Sequence, residues 1–249
     1  MDVIYSIWLR NLKRYLRSKS RIVGSLGMPL FFLIILGFGL NSVVNISSVS
    51  GNYVEFLVPG IVAMSVLFTS IFSGIQIIWD KQFGFLKETL VAPISRIEIM
   101  LGQTFGGATT AIIQGTIILV LSLFIGLNIS WIGGLLIAFG FMALIGIGFT
   151  SLGIAIASRM DDMNGFQLIM SFIIFPIFGL SGAMFPIDSL PPMFRTLTLF
   201  DPLTYGVEGI RFGLNGVAQI NPIACFVVLL TFSVAMILTG AFLFRKVKI

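Results

Sequence analysis

The sequence predicts an all-α integral membrane protein with six transmembrane helices. Of its 249 residues, 57% are hydrophobic and only 10% are charged, and the mean hydropathy is +1.07. Six apolar runs reach the length of about 20 residues that a helix needs to cross a hydrocarbon core. Helices satisfy their own backbone hydrogen bonds in lipid, which favours a bundle. The predicted spans are residues 22–40, 57–78, 99–127, 131–157, 165–185 and 222–244.

Residues 1–21 precede the first span and predict a separate amphipathic helix. On a helical wheel one arc is apolar and aromatic, formed by Ile4, Tyr5, Trp8, Leu9, Leu12, Tyr15 and Leu16. The opposite arc is basic, formed by Arg10, Lys13, Arg14, Arg17 and Arg21. We expect this helix to lie in the membrane interface, with its basic face toward anionic lipid head groups. A frayed basic tail is the alternative.

The basic residues predict the orientation of the chain. Thirteen of the 15 Lys and Arg residues fall before the first span, in the loops at 79–98 and 158–164, or after the last span, and only Arg195 and Arg211 lie on the other side. The positive-inside rule therefore places both termini in the cytoplasm, with the chain in the cell membrane. Because orientation already accounts for the net charge of +5, we do not expect nucleic acid as a partner.

A short island of charge, residues 78–96, separates the second and third spans. Its apolar residues recur at helical spacing, at Trp79, Phe83, Leu86 and Leu90. Its charged residues lie off that stripe, at Asp80, Lys81, Lys87 and Glu88. Pro93 ends the pattern. The island predicts an amphipathic helix over 80–90, which could dock a soluble protein against the membrane domain.

The spans contain few residues of the types that catalysis or metal binding requires. No charged residue occurs between Ile99 and Ser158, the chain has no histidine, and its one cysteine cannot form an intrachain disulfide. We therefore predict no catalytic, cofactor-binding or metal-binding residue. Interhelical hydrogen bonding is the main interpretation of Gln76, Gln103, Gln114 and Gln167, with substrate contact as the alternative. Gly102 and Gly106 form a G-x-x-x-G pattern that permits close helix approach.

Residues 186–221 predict an external helical hairpin before the last span. Asp188 and Ser189 are expected to cap a helix beginning near Pro191 and Pro192. Asp201-Pro202 would end it, and a second short helix would cover Tyr205 to Leu214. We expect the hairpin to dip into the outer membrane interface. Its candidate residues are Pro186, Leu190, Pro191, Pro192, Pro202, Tyr205 and Arg211.

Three stretches resemble the membrane permeases of type-2 ABC exporters, closest to daunorubicin-type drug-resistance permeases and related polysaccharide-export permeases. They are FLVPG at 56–60, WDKQFGFLKETLVAPISRIEIMLGQ from Trp79, and SGAMFPIDSLPPMFRTLTLFDPLTYGVEGIRFG before the last span. One small departure is Asp201, where relatives often have Asn. The resemblance covers nearly the whole chain, as a single domain over residues 1–249.

The resemblance implies a half-transporter. Two permeases, identical or closely related, would face each other in the lipid bilayer, each docked on a cytoplasmic ATPase that binds ATP and Mg²⁺. This chain contains no G-x-x-x-x-G-K-[ST] motif of its own. The docking residues would come from both loops on that side: Asp80, Lys81, Gln82, Phe83, Gly84, Phe85, Leu86, Lys87, Glu88, Arg96, Asp161 and Asp162.

Two other functions stay open on the sequence. Asp161 and Asp162 could belong to a membrane-embedded Mg²⁺-dependent enzyme acting on a lipid diphosphate, although such enzymes generally need two facing acidic clusters. A self-contained channel is the second, although no charged ring or filter-like loop is present. For the exporter, aromatic and apolar spans suit a drug, a lipid or a lipid-linked glycan equally well.

Overall fold

The computed structural model describes residues 2–39, 53–85 and 94–245, and these form ten α-helices and one short 3-10 helix. In chain order the α-helices are α1 Asp2–Arg17, α2 Lys19–Gly39, α3 Tyr53–Ser73, α4 Ile75–Gln82, α5 Arg96–Ile125, α6 Gly133–Ala157, α7 Met163–Leu180, α8 Pro192–Phe200, α9 Pro202–Asn215 and α10 Pro222–Arg245. The 3-10 helix is Ile187–Ser189.

The predicted fold class is confirmed. Six helical stretches are long and apolar enough to cross a membrane, and all six correspond to predicted spans. The second crossing is longer than expected, because α3 and α4 together run from Tyr53 to Gln82 with only a turn at Gly74 between them. The fifth is shorter, because α7 ends at Leu180 and Gly182 takes a positive φ of 68°.

Helix ends follow local chemistry where a cap is present. Ser95 accepts a hydrogen bond from the Ile97 amide, while the Glu98 side chain accepts one from the Ser95 amide. This capping box begins α5 three residues before the predicted span. Asp162 accepts hydrogen bonds from the amides of Asn164 and Gly165 and so begins α7.

Helix α3 is the centre of the bundle. It packs against α2, α5, α6 and α9, and it is the most buried of the six crossings. Helices α2, α7 and α10 lie at the periphery, and each leaves several large apolar side chains exposed. An apolar helix with an exposed apolar surface is what contact with lipid or with another membrane protein requires.

The amphipathic helix α1 packs on the bundle more tightly than an interface helix requires. A Cβ on Gly102 would lie 2.8 Å from Ile7, and one on Gly106 would lie 2.6 Å from Asn11. The G-x-x-x-G pattern therefore admits α1 against α5. The contact face includes Asn11 and differs from the predicted apolar arc, since Tyr5 and Leu16 of that arc are exposed.

The two helices of the segment before the last crossing, α8 and α9, differ sharply in burial. Most of α8 is exposed, whereas α9 is buried against α3, α6 and α10. The backbones of α9 and α6 nearly touch, because a Cβ on Gly134 would lie 1.9 Å from the Gly213 carbonyl oxygen. The predicted cap at Asp188 and Ser189 is wrong: these residues form the 3-10 helix, and α8 begins after Pro191 without a side-chain cap.

Candidate functional site

The predicted docking helix over 80–90 is not a single element in the described residues. Helix α4 ends at Gln82, and Gly84 follows it with a φ of 80°, a conformation that glycine adopts without strain. Asp80, Lys81 and Gln82 therefore belong to the last turn of the second crossing. Leu86, Lys87 and Glu88 lie outside the described residues.

Asp80 points into the protein rather than into solvent. The residue is 5% exposed, and its carboxylate accepts three hydrogen bonds. Arg10 of α1 donates at 2.9 Å, Gln76 of α4 at 2.8 Å and Gln103 of α5 at 3.2 Å. Asn11 in turn donates to the Gln103 side-chain oxygen at 2.6 Å. These five residues, which we call the Asp80 cluster, tie α1, α4 and α5 together.

Lys81 and Gln82 connect α4 to the turn between α6 and α7. The Lys81 ammonium donates to the carbonyl oxygens of Ser158 at 2.9 Å and Met160 at 3.1 Å. These are carbonyl groups just beyond the end of α6, where a cation is favourable. Gln82 donates to the Asp161 carbonyl oxygen at 2.8 Å. The two loops that the sequence singles out are thus joined by direct hydrogen bonds.

Both acidic residues of the α6–α7 turn already have partners. Asp161 accepts from Lys81 at 3.2 Å with its side chain 91% exposed, and Asp162 caps α7. Two carboxylates in these roles do not converge on a shared point. In the described residues no group of three or more Cys, Asp or Glu side chains is arranged to hold a metal ion.

Aromatic side chains cover the outside of this surface. Phe83 is 62% exposed and Phe85 is 56% exposed, and the Phe83 ring lies 5.5 Å from the Trp79 ring. Trp79 and Phe83 therefore share one face, as their spacing predicts, and Phe83 is the more exposed of the two. Arg96 donates to the Arg245 carbonyl oxygen at 2.6 Å, so it also binds the end of α10.

The opposite end of the bundle holds a second paired carboxylate. Phe56 and Asp80 are separated by 24 positions of nearly continuous helix, which corresponds to about 36 Å. Near Phe56, Arg211 of α9 bonds Glu208 one turn earlier, and both side chains are buried. Arg211 also donates to the Gly182 carbonyl oxygen at 3.1 Å, and its guanidinium carbon lies 4.1 Å from the centre of the Phe56 ring.

The other candidate residues of the predicted external hairpin hold that segment together. Pro186 precedes the 3-10 helix and Leu190 ends it, Pro191 and Pro192 begin α8, and Pro202 is the first residue of α9. The Tyr205 hydroxyl donates to the Leu199 carbonyl oxygen at 2.7 Å, which joins α9 to α8. Asp201 caps α9 by accepting from the Leu203 amide.

The sequence does not predict two of these partners. Its basic arc places Arg10 toward lipid head groups, and it assigns no role to Glu208. The interhelical interpretation of the glutamines is confirmed at Gln103 and at Gln114, which accepts from Tyr15. A usable signal for Glu208 was its position one turn before Arg211 within a helix otherwise almost free of charge.

Apolar crossings with polar clusters at both ends define a multi-pass α-helical membrane protein. The chain belongs to the ABC-2 type transporter family, whose model matches residues 2–215. It is 32% identical over 210 residues to nodulation protein J of Rhizobium leguminosarum bv. trifolii, covering 83% of this chain and 79% of that protein. It is 27% identical over 242 residues to the inner membrane transport permease YadH of Escherichia coli K12, covering 94% and 91%.

A third relative is the putative transport permease ycf38 of Cyanophora paradoxa, 30% identical over 198 residues, which cover 79% of this chain and 68% of that protein. The family and these relatives identify the chain as a transmembrane transport permease.

Proposed function

We propose that this chain is the permease subunit of an ATP-driven exporter, and that a separate ATPase docks where α4 meets the α6–α7 turn. Membership of the ABC-2 family implies a cooperating ATP-binding subunit. The observation that carries the proposal is the direct bonding of Lys81 and Gln82 to residues 158–161. It turns two separate loops into one surface, which also carries Phe83 and Phe85.

This docking surface is connected to four helices, which is what transmission of movement requires. Lys81 and Gln82 bind the turn between α6 and α7, while Asp80, one residue earlier, binds α1 and α5. A displacement of the end of α4 would therefore be passed to these four helices through hydrogen bonds. Asp80 is buried, so we assign it to transmission and place the ATPase contacts on its exposed neighbours.

Orientation, assembly and substrate belong to the same proposal. The basic residues favour cytoplasmic termini, and the similarity to the inner membrane transport permease YadH supports a cell-membrane location. The exposed apolar faces of α2 and α7 leave room for a second permease copy beside surrounding lipid. The middle parts of the spans carry no charge, which favours an amphipathic or lipid-like substrate, such as a drug, a lipid or a lipid-linked glycan. ATP and Mg²⁺ would bind only to the partner subunit.

Co-purification with the ATPase and permease-stimulated ATP hydrolysis test the docking surface. We expect Phe83→Asp and Phe85→Asp to weaken the complex and lower stimulated hydrolysis, because each places a charge in an apolar contact. Phe200→Asp is the matched control, since Phe200 is 81% exposed at the opposite end of the bundle. If the two docking variants retain the ATPase as well as the control does, the docking surface is wrong.

A further inference from the structure

The junction between α1 and α2 borders two adjoining cavities of opposite character. One is a small polar niche whose lining includes Asn11, Arg14, Gln76 and Thr110. The other is an apolar cleft of about 220 Å³ between α2 and α3, walled by Met28, Pro29, Met64, Phe68 and Phe72. Tyr15 and Arg21 line both cavities and so mark the point where they meet.

Within the part of the chain that the structure describes, the two arginines that line these cavities, Arg14 and Arg21, have no carboxylate partner. Among the described residues, neither side chain has a hydrogen bond or an ion pair, and the Arg14 guanidinium carbon lies 5.8 Å from the centre of the Trp79 ring. Asp80, the carboxylate of this region, is already occupied by Arg10, Gln76 and Gln103. Two arginines beside an apolar cleft favour a ligand with an anionic head and an apolar tail.

We propose that an anionic phospholipid of the surrounding leaflet binds here, with its phosphate between Arg14 and Arg21 and one acyl chain in the α2–α3 cleft. A helix of a second protein is about 10 Å wide and does not fit a cleft of this volume. A soluble anion would leave the apolar walls empty. The bound lipid would fix the α1–α2 junction, and its binding needs only membrane insertion, so it does not depend on the ATPase.

Charge variants test the head-group contact. The measurement is native mass spectrometry of the protein released from nanodiscs, which counts retained phosphatidylglycerol against phosphatidylcholine. We expect Arg21→Gln to lower phosphatidylglycerol retention about tenfold, the loss expected for a charge-assisted hydrogen bond. Arg17→Gln is the matched control, because it removes the same charge from a neighbouring basic surface outside both cavities. Equal losses in the two variants would overturn a defined site.

Steric variants test the acyl-chain contact without changing charge. Gly24 lines the cleft, and a Cβ added there meets nothing within 4 Å, so Gly24→Leu can fill the cleft without a clash. Gly27 on the same helix also has open space but does not line the cleft. We expect Gly24→Leu to lose the lipid and Gly27→Leu to keep it. Retention of the lipid by Gly24→Leu would overturn the proposal.

Transport conditions separate a resident lipid from a cargo. In vesicles containing the complete complex, ATP should leave both the bound lipid and the leaflet distribution of fluorescent phosphatidylglycerol unchanged. ATP-dependent delivery of that lipid to the opposite leaflet, abolished by Arg21→Gln, would overturn the resident assignment and make the cleft an entry site for cargo. Failure of the ATPase to bind affects only the proposed function, because lipid retention is measured without it.

Discussion

Each end of the bundle holds a buried carboxylate paired with an arginine, but only one of the two arginines reaches solvent. The Arg10 side chain is 41% exposed beside Asp80, whereas Arg211 and Glu208 are both buried. Separating the first pair leaves a cation that water can solvate. Separating the second leaves two charges in an apolar environment, which costs much more. We therefore expect the Asp80 end to be able to rearrange and the Glu208 end to act as a fixed clamp.

The contacts of the two pairs fit these different roles. Asp80 joins helices that are distant in sequence, α1, α4 and α5, at the end that carries the proposed docking surface. Arg211 holds α9 to the beginning of α3 and to the end of α7 through the Gly182 carbonyl group. A movement of the first cluster could therefore pass along α3 while the Glu208 end stays fixed.

The largest expected effect is at the buried pair. Arg211→Met leaves the Glu208 carboxylate buried without its cation, and we expect a loss of about 3–5 kcal/mol of stability. The measurement is the thermal unfolding midpoint in detergent, together with the amount of protein in the membrane. The double variant Glu208→Gln with Arg211→Met should recover part of the loss, because no uncompensated charge remains. A single variant as stable as wild type would contradict the clamp.

An intermediate effect is expected at the half-exposed pair. Asp80→Ala removes the acceptor of three hydrogen bonds, and we expect a loss of about 1–3 kcal/mol, since Arg10 can turn to water but Gln103 stays buried. Arg10→Gln should cost less than Asp80→Ala. The measurement is the free energy of unfolding by denaturant for wild type, Asp80→Ala and Arg10→Gln. If Asp80→Ala destabilises as strongly as Arg211→Met, the two ends do not differ in the way described.

Asp201, just before α9, is a third buried carboxylate. No salt bridge to it is found among the described residues, so it shows the effect of burial on the pKa of a carboxyl group. Burial raises the pKa of Asp201 from 3.8 to about 7, against the opposing hydrogen bonds from Leu203 and Thr204. The folded protein then holds a proton that the unfolded chain has already lost. Its contribution to stability therefore falls as the pH rises from 3.8 to about 7.

Two variants test whether the contribution of Asp201 to stability falls as the pH rises. Asp201→Asn keeps a good helix cap and should abolish that part of the pH dependence, whereas Asp201→Ala also loses the cap, at about 1 kcal/mol. Unfolding midpoints between pH 5 and pH 8, spanning about three units around neutrality, provide the comparison. If wild type instead became more stable relative to Asp201→Asn as the pH rises, the predicted direction would be wrong.

The smallest expected effect is at the pair of Lys81 and Asp161, in which the Asp161 side chain is exposed. Asp161→Asn should change stability by less than about 1 kcal/mol, because the Asp161 side chain is in water and Lys81 keeps two carbonyl partners. Stability and stimulated ATP hydrolysis should therefore separate in this variant if Asp161 contacts the ATPase. A large stability loss would instead place Asp161 in the structural core of the turn.

The sequence predicted the crossings well and the partners of polar residues poorly. Apolar runs report lipid burial directly, so all six spans were found within a few residues, apart from the longer α3–α4 crossing and the shorter α7. Asp80 lay off an apolar stripe and was assigned to an outward-facing surface. Its burial depends on Arg10 and Gln103, which are 70 and 23 positions away, and no local pattern encodes such pairs.

By itself, then, the sequence determined membrane insertion, the number of crossings, the charge asymmetry and the likeness to ABC-2 permeases, because composition and short motifs carry that information. Only the tertiary structure decided which charges are buried and paired, that Lys81 joins the two loops, and that α9 lies inside the bundle while α8 lies outside. The physical reason is that polar groups in a mostly apolar protein choose partners by proximity in space, and the packing of the helices alone sets that proximity.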